Sequence, residues 1–143
     1  MADLIQFLIL FGIGYFIGTR VEKAHYNSIK SRETIYLSLP AVNTKNLIDK
    51  DKEIEKGELV SGSVVISADF FKLIVAGLRN ILGGEVTSYE TLVDRGRREA
   101  ILRMKEKARD ADLILNTRME TCQIKDFGIV EILAYGTAIY YKK

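Results

Sequence analysis

The residues that could do chemistry are few and far apart. One cysteine, Cys122, and one histidine, His25, stand in the 143-residue chain. A soft metal wants several thiolate or imidazole ligands, and neither residue has such a partner at ligand spacing. Cys122 reads as a side chain at the end of a strand, and His25 as a solvated residue in a polar stretch. No GxSxG elbow, P-loop or HExxH motif occurs, and no histidine neighbours Cys122 in sequence to make it a nucleophile. Gly83-Gly84 follows an apolar helical stretch instead of opening one, which makes it a helix stop, not a phosphate cradle. Glu90 and Asp94 lie one turn apart, where the positive end of a helix accounts for them without catalysis. An enzyme would have to use Tyr89, Glu90 and Arg79 at the junction between two helices. The reading preferred here is non-enzymatic, with no cofactor evident.

Composition narrows the partners. With 48% hydrophobic and 28% charged residues and a single proline, the chain is globular and long enough for one domain. Lysine and arginine number 21 against 19 aspartate and glutamate, a net charge of +2, which gives no one-sign surface for nucleic acid. One cysteine excludes an internal disulfide.

The start of the chain differs from the rest. Leu4 to Ile17 reads LIQFLILFGIGYFI, without a charge, between Asp3 and Arg20. Taken as helix, Leu4 to Thr19 measures about 24 Å, short of a hydrocarbon core of about 30 Å. A transmembrane anchor over residues 1–20 is the expectation, followed by a juxtamembrane stalk over 21–32. A cleaved signal peptide would want a basic start, an in-plane helix a charged face, and a buried core helix cover from the rest of the chain. Arg20, Lys23, Lys30 and Arg32 follow the span, and the rule that basic flanks stay inside places the N-terminus outside and the remainder in the cytoplasm. Gly14 and Gly18 stand at GxxxG spacing, with Gly12 nearby, either as a helix-pairing seam or as ordinary membrane-helix glycines.

Elements that could position a site follow in the remaining residues. Glu33 to Leu39 (ETIYLSL), ending at Pro40, predicts a first strand. Gly57 to Ser67 predicts a second, with Val60, Gly62, Val64 and Ile66 on one face, and Gly62 marks a bulge or a close backbone neighbour. Ser67 or Asp69 would cap a helix ending at Gly83-Gly84, apolar around most of its circumference. Such a helix needs cover on two sides, one of them from another subunit. Ser88 opens a longer helix to about Ala111. Tyr89, Val93, Gly96, Ala100, Met104, Ala108 and Ala111 form its packing face, and a mixed-sign face lies opposite, tied by pairs such as Glu99 and Arg103. Leu102 falls on the polar side. Leu113 to Thr121 and Ile129 to Tyr140 close the domain as two strands around a turn at Asp126 to Gly128, with neither row of the last strand wholly polar. The fold class is α+β, a small antiparallel sheet backed by two helices.

Several short stretches carry a family likeness: Val60-Ser61-Gly62, Ala76 to Gly84 (AGLRNILGG), Ser88-Tyr89-Glu90, Arg98-Glu99-Ala100 and Tyr135-Gly136-Thr137-Ala138. Over residues 33–143 the chain resembles the YbjQ-like family, labelled for heavy-metal binding. The resemblance implies a dodecin-like subunit that assembles as a homopentameric ring. Asp110-Ala111-Asp112 departs from the family pattern, which has a glycine-containing turn there, and the N-terminal span is an addition. Ring symmetry could gather Cys122, or a carboxylate such as Asp69, Glu85 or Glu90, into a metal site; carboxylates alone would suit harder cations. Phe70, Phe71, Arg79, Leu102 and Tyr135 are the candidate contacts between copies. The expected partners are therefore identical chains and, through residues 4–19, a lipid bilayer.

Overall fold

Small side chains decide how closely the two layers of the domain approach. The computed structural model describes residues 2–47, 51–67, 87–124 and 129–142, as helix α1 (Ala2–Ile35), strand β1 (Ile54–Ser67), helix α2 (Thr87–Lys107) and strands β2 (Leu113–Ile124) and β3 (Ile129–Tyr141). A Cβ added at Gly62 would lie 2.3 Å from the Ala100 carbonyl oxygen and 2.4 Å from the Met104 nitrogen. The α2 backbone thus passes directly over the middle of β1. Ala100 and Met104 on α2 and Ala108 just beyond its end are fully buried, as are Ala134 and Ala138 on β3. The close neighbour expected of Gly62 is α2, and the expected packing face is the one that faces the sheet for every member whose side chain is described.

The three strands pair in the order β1-β3-β2, both pairs antiparallel. Together with the helices they make the small α+β domain expected from the sequence. Val60, Gly62, Val64 and Ile66 on β1 and Val130, Ile132, Ala134, Gly136 and Ala138 on β3 are buried on the α2 side. The pairing of β2 with β3 shifts between Leu115 and Arg118, where Asn116 adopts φ 50°. Asparagine tolerates this left-handed conformation better than most residues. Here the Asn116 amide donates to Thr44 O at 2.8 Å.

One predicted strand is corrected. Glu33 to Ile35 form the last turn of α1, and Tyr36 to Ser38 form a turn. Helix wins because Arg32 and Glu33 bond side chains of α2 and Ile29 is buried at 0% exposure, so tertiary contacts outweigh the β propensity of a short segment. Strand-like pairing begins later. Ile114 donates to Pro40 O, Val42 to Ile114 O and Thr117 to Val42 O, each at 2.9 Å, so the segment after Pro40 runs parallel to the start of β2 and covers its edge. Val42 and Leu47 also pack with Leu113, Leu115, Ile139 and Tyr141, a second apolar cluster apart from the main core. Asp112, part of the unusual Asp110-Ala111-Asp112 stretch, accepts the Tyr141 amide at 2.9 Å and donates its own to Ile139 O at 3.0 Å. The apolar helix expected between Ser67 and Gly84 and the turn at Asp126 to Gly128 lie outside the described residues.

Candidate functional site

The functional geometry gathers along the contact between α1 and α2. In its polar half α1 places Glu22, His25, Tyr26, Ile29, Arg32 and Glu33 at helical spacings of three and four, so they share one side. Arg95, Arg98, Glu99, Leu102 and Glu106 do the same on α2. The guanidinium of Arg32 bonds both carboxylate oxygens of Glu99 and donates to Glu106 Oε1 at 3.1 Å. Arg98 donates through Nε to Glu33 Oε1 at 2.7 Å and through Nη1 to the Tyr26 hydroxyl at 2.6 Å, with its guanidinium carbon 4.8 Å from the centroid of that ring, a cation–π contact. Arg95 approaches Glu22 at 3.4 Å, and Lys105 donates to Tyr36 O at 3.1 Å.

Glu99 is the centre of this network and is 3% exposed. Burial pushes its carboxyl up, but hydrogen bonds from Arg32 and Arg103 outweigh that and hold it below the ordinary carboxylate range. Arg103 reaches it from one turn away at 2.9 Å, the expected i,i+4 pair, and also donates to Ser63 O at 2.8 Å. A mixed-sign helix face expected to be solvated is thus covered by α1. His25, expected in solvent, lies 3.8 Å from Glu99 with its side chain 40% exposed. Complementary charge at matching spacing in residues 22–33 and 95–106 was the available signal.

At the end of this contact nearer the apolar run, Thr19, Glu22, Lys23 and Tyr26 of α1 and Thr91, Asp94 and Arg95 of α2 line a cleft of about 570 Å³. Burial lowers the Arg95 guanidinium from its usual value, and its Nε is buried without a hydrogen-bond partner.

The sequence-derived candidates distribute as follows. Leu102, expected on the polar side, is buried at 2%; it lies between Glu99 and Glu106 on the side of α2 whose charges bond α1, so it is corrected from a surface position to an interior one. Tyr135 is half-buried on β3, in register with Ser61 and Arg118. Phe70, Phe71, Arg79, Asp69 and Glu85 lie outside the described residues, as do the side chains of Tyr89 and Glu90. Cys122 is a free, exposed thiol in register with Glu131.

A metal centre finds little support in this donor set. His25 faces Glu99 on α2, whereas Cys122 sits on the sheet beside Glu131. Among the described residues no three His, Cys, Asp or Glu side chains converge. The described residues of one chain do not fit a heavy metal.

The domain has relatives among known proteins. Residues 41–142 match a family described as "Putative heavy-metal-binding". A UPF0145 protein of Methanosarcina acetivorans is 41% identical over 91 residues, covering 62% of this chain and 85% of that one. A UPF0145 protein of Psychrobacter arcticus is 42% identical over 87 residues, covering 59% of this chain and 54% of its own length, so the chain spans about half of that relative. A solved structure of a protein of unknown function from Pediococcus pentosaceus is 18% identical, with a TM-score of 0.38 over 71% of this chain and 98% of that one. Helix α1 precedes the matched residues. From Ala41 onward, the chain belongs to the YbjQ family of UPF0145 proteins.

Proposed function

We propose that this protein is a membrane-anchored homo-oligomer, a pentameric ring, whose YbjQ domain binds or scaffolds on the cytoplasmic side. The observation that carries the reading is the first half of α1. Leu4, Ile5, Phe7, Leu8, Ile9, Leu10, Ile13, Phe16 and Ile17 are each more than half exposed, and none of the apolar window of α1 is buried within the chain. An exposed apolar row of this kind is unstable in water and suits the hydrocarbon of a bilayer, which a run shorter than the core crosses upright or by thinning it. Basic residues at the end of the run support the inside orientation of the domain. Arg20 also stacks on Phe16 at 4.5 Å, a contact suited to the interface between hydrocarbon and headgroups.

Self-assembly draws support from the face of the sheet turned away from α2. Leu59 is 76% exposed, Val65 59% and Leu133 36%. Apolar side chains on a sheet face want cover, and identical chains placed side by side in one membrane are the nearest source. A pentamer is the assembly that the family resemblance implies.

The ion-pair network on Glu99 gives the assembly a fixed orientation, because it ties the end of the anchor helix to the domain. Alkaline carbonate extraction of membranes tests the anchor: the full chain stays in the pellet, and Leu10→Arg/Ile13→Arg moves it to the supernatant. Release of the unmodified chain by carbonate would refute the reading.

A further inference from the structure

We propose that the cleft between α1 and α2 holds the zwitterionic headgroup of an amino-phospholipid, one phosphate and one primary ammonium. This inference rests on the membrane reading above, because that reading sets the depth of the cleft. Thr19 lies two residues beyond Ile17, the end of the apolar run. From Thr19 to Tyr26 the helix rises about 10 Å, enough to cross a headgroup layer of roughly 5 to 8 Å beside the hydrocarbon.

The choice of headgroup follows from charge. Four ionisable side chains besides Tyr26 line the cleft: the cations Lys23 and Arg95 and the anions Glu22 and Asp94. Glu22 and Arg95 neutralise one another at 3.4 Å. Lys23 on α1 and Asp94 on α2 face the same cleft and, among the described residues, form no ion pair or hydrogen bond with each other or with another side chain. Beyond that pair, a purely anionic headgroup would meet the Asp94 carboxylate, and a purely cationic ligand would meet the Lys23 ammonium. A ligand carrying both charges satisfies both, with its phosphate on Lys23 and its ammonium on Asp94. A primary ammonium offers three N–H donors to a carboxylate, which a quaternary choline lacks.

The test is native mass spectrometry of the full chain released from nanodiscs of phosphatidylethanolamine mixed equally with phosphatidylglycerol, or with phosphatidylcholine. Retained phosphatidylethanolamine should exceed either rival about tenfold, the worth of one charge-assisted hydrogen bond. At these two exposed positions, where melting should not change, Asp94→Asn should remove most of that preference, and Lys23→Gln should lower retention of all three lipids alike. Equal retention of the three lipids, or an undiminished preference in the double variant, overturns the proposal. Soluble O-phosphoethanolamine should fail to displace the lipid; displacement at matched concentration would assign the site to a free ligand and overturn the lipid source. A chain that does not enter nanodiscs overturns the anchor and this inference together, whereas a chain that enters without preference overturns this inference alone.

Discussion

Gly62→Ala should loosen the whole domain, because the position it alters is where α2 crosses β1. The new Cβ would meet the Ala100 carbonyl oxygen at 2.3 Å, the Met104 nitrogen at 2.4 Å and the Arg103 carbonyl carbon at 2.8 Å. All three are backbone atoms of one helix, so no rotamer change relieves the clash. To restore contacts near 3.4 Å the helix must withdraw by roughly 1 Å along 100–104, opening the contacts of Ala100, Met104 and Ala134 together. Overpacking commonly costs 1 to 3 kcal/mol, and a rigid backbone obstacle places this change at about 3 kcal/mol. For a domain of this size that is a fall in Tm of about 10 °C. Gly57→Ala is the internal control. Its added methyl would find only Ile139 Cδ1 at 3.8 Å and Thr137 Cγ2 at 3.9 Å, ordinary contacts, and reduced freedom of the unfolded chain should leave it neutral or slightly stabilised. Thermal melting of the detergent-solubilised chain, followed by circular dichroism, measures both. A Gly62→Ala protein melting within about 2 °C of the parent would refute the claim that backbone contact sets the helix–sheet distance.

Other outcomes follow from the same geometry. Gly96→Ala should change stability by less than about 1 kcal/mol, since its Cβ would meet the tip of the Ile132 side chain at 2.6 Å, which can swing aside, and alanine favours helix; denaturant titration checks this. Glu99→Gln should cost about 2 kcal/mol in the same titration, below the full penalty for breaking a buried pair because Arg32 keeps Glu106 and Arg103 keeps Ser63 O. The Glu99 carboxyl is lowered in the folded state, so its contribution is complete above its ordinary value of 4.5 and is lost as pH falls through and below it. Melting temperature against pH should therefore drop less steeply on the acid side in Glu99→Gln than in the parent.

How much of this was legible in the sequence depends on the kind of pattern. Alternation in β1 and the small-residue face of α2 showed the sheet and the helix that covers it, because burial on one side leaves a period in the residues. Gly62 pointed to a bulge or a close approach, and only the contact with α2 decides between them. Glu33 to Leu39 misled because a seven-residue stretch carries weak local preference, while the bonds that made it helical lie more than sixty residues away at Glu99 and Arg98. Leu102 misled for a related reason. It sits among charges that look solvated until a second charged helix closes over them, and then the interior position is the one between Glu99 and Glu106. The cleft beside Arg95 was not legible at all, because its walls come from two segments whose spacing says nothing about their separation in space.

The mass of the assembly extracted from a membrane tests the central claim most directly. Native mass spectrometry of the full chain, ejected from nanodiscs without crosslinking, should give a species near five times the 16.2 kDa chain mass. A 16.2 kDa species alone, at concentrations where the protein remains folded, would contradict it.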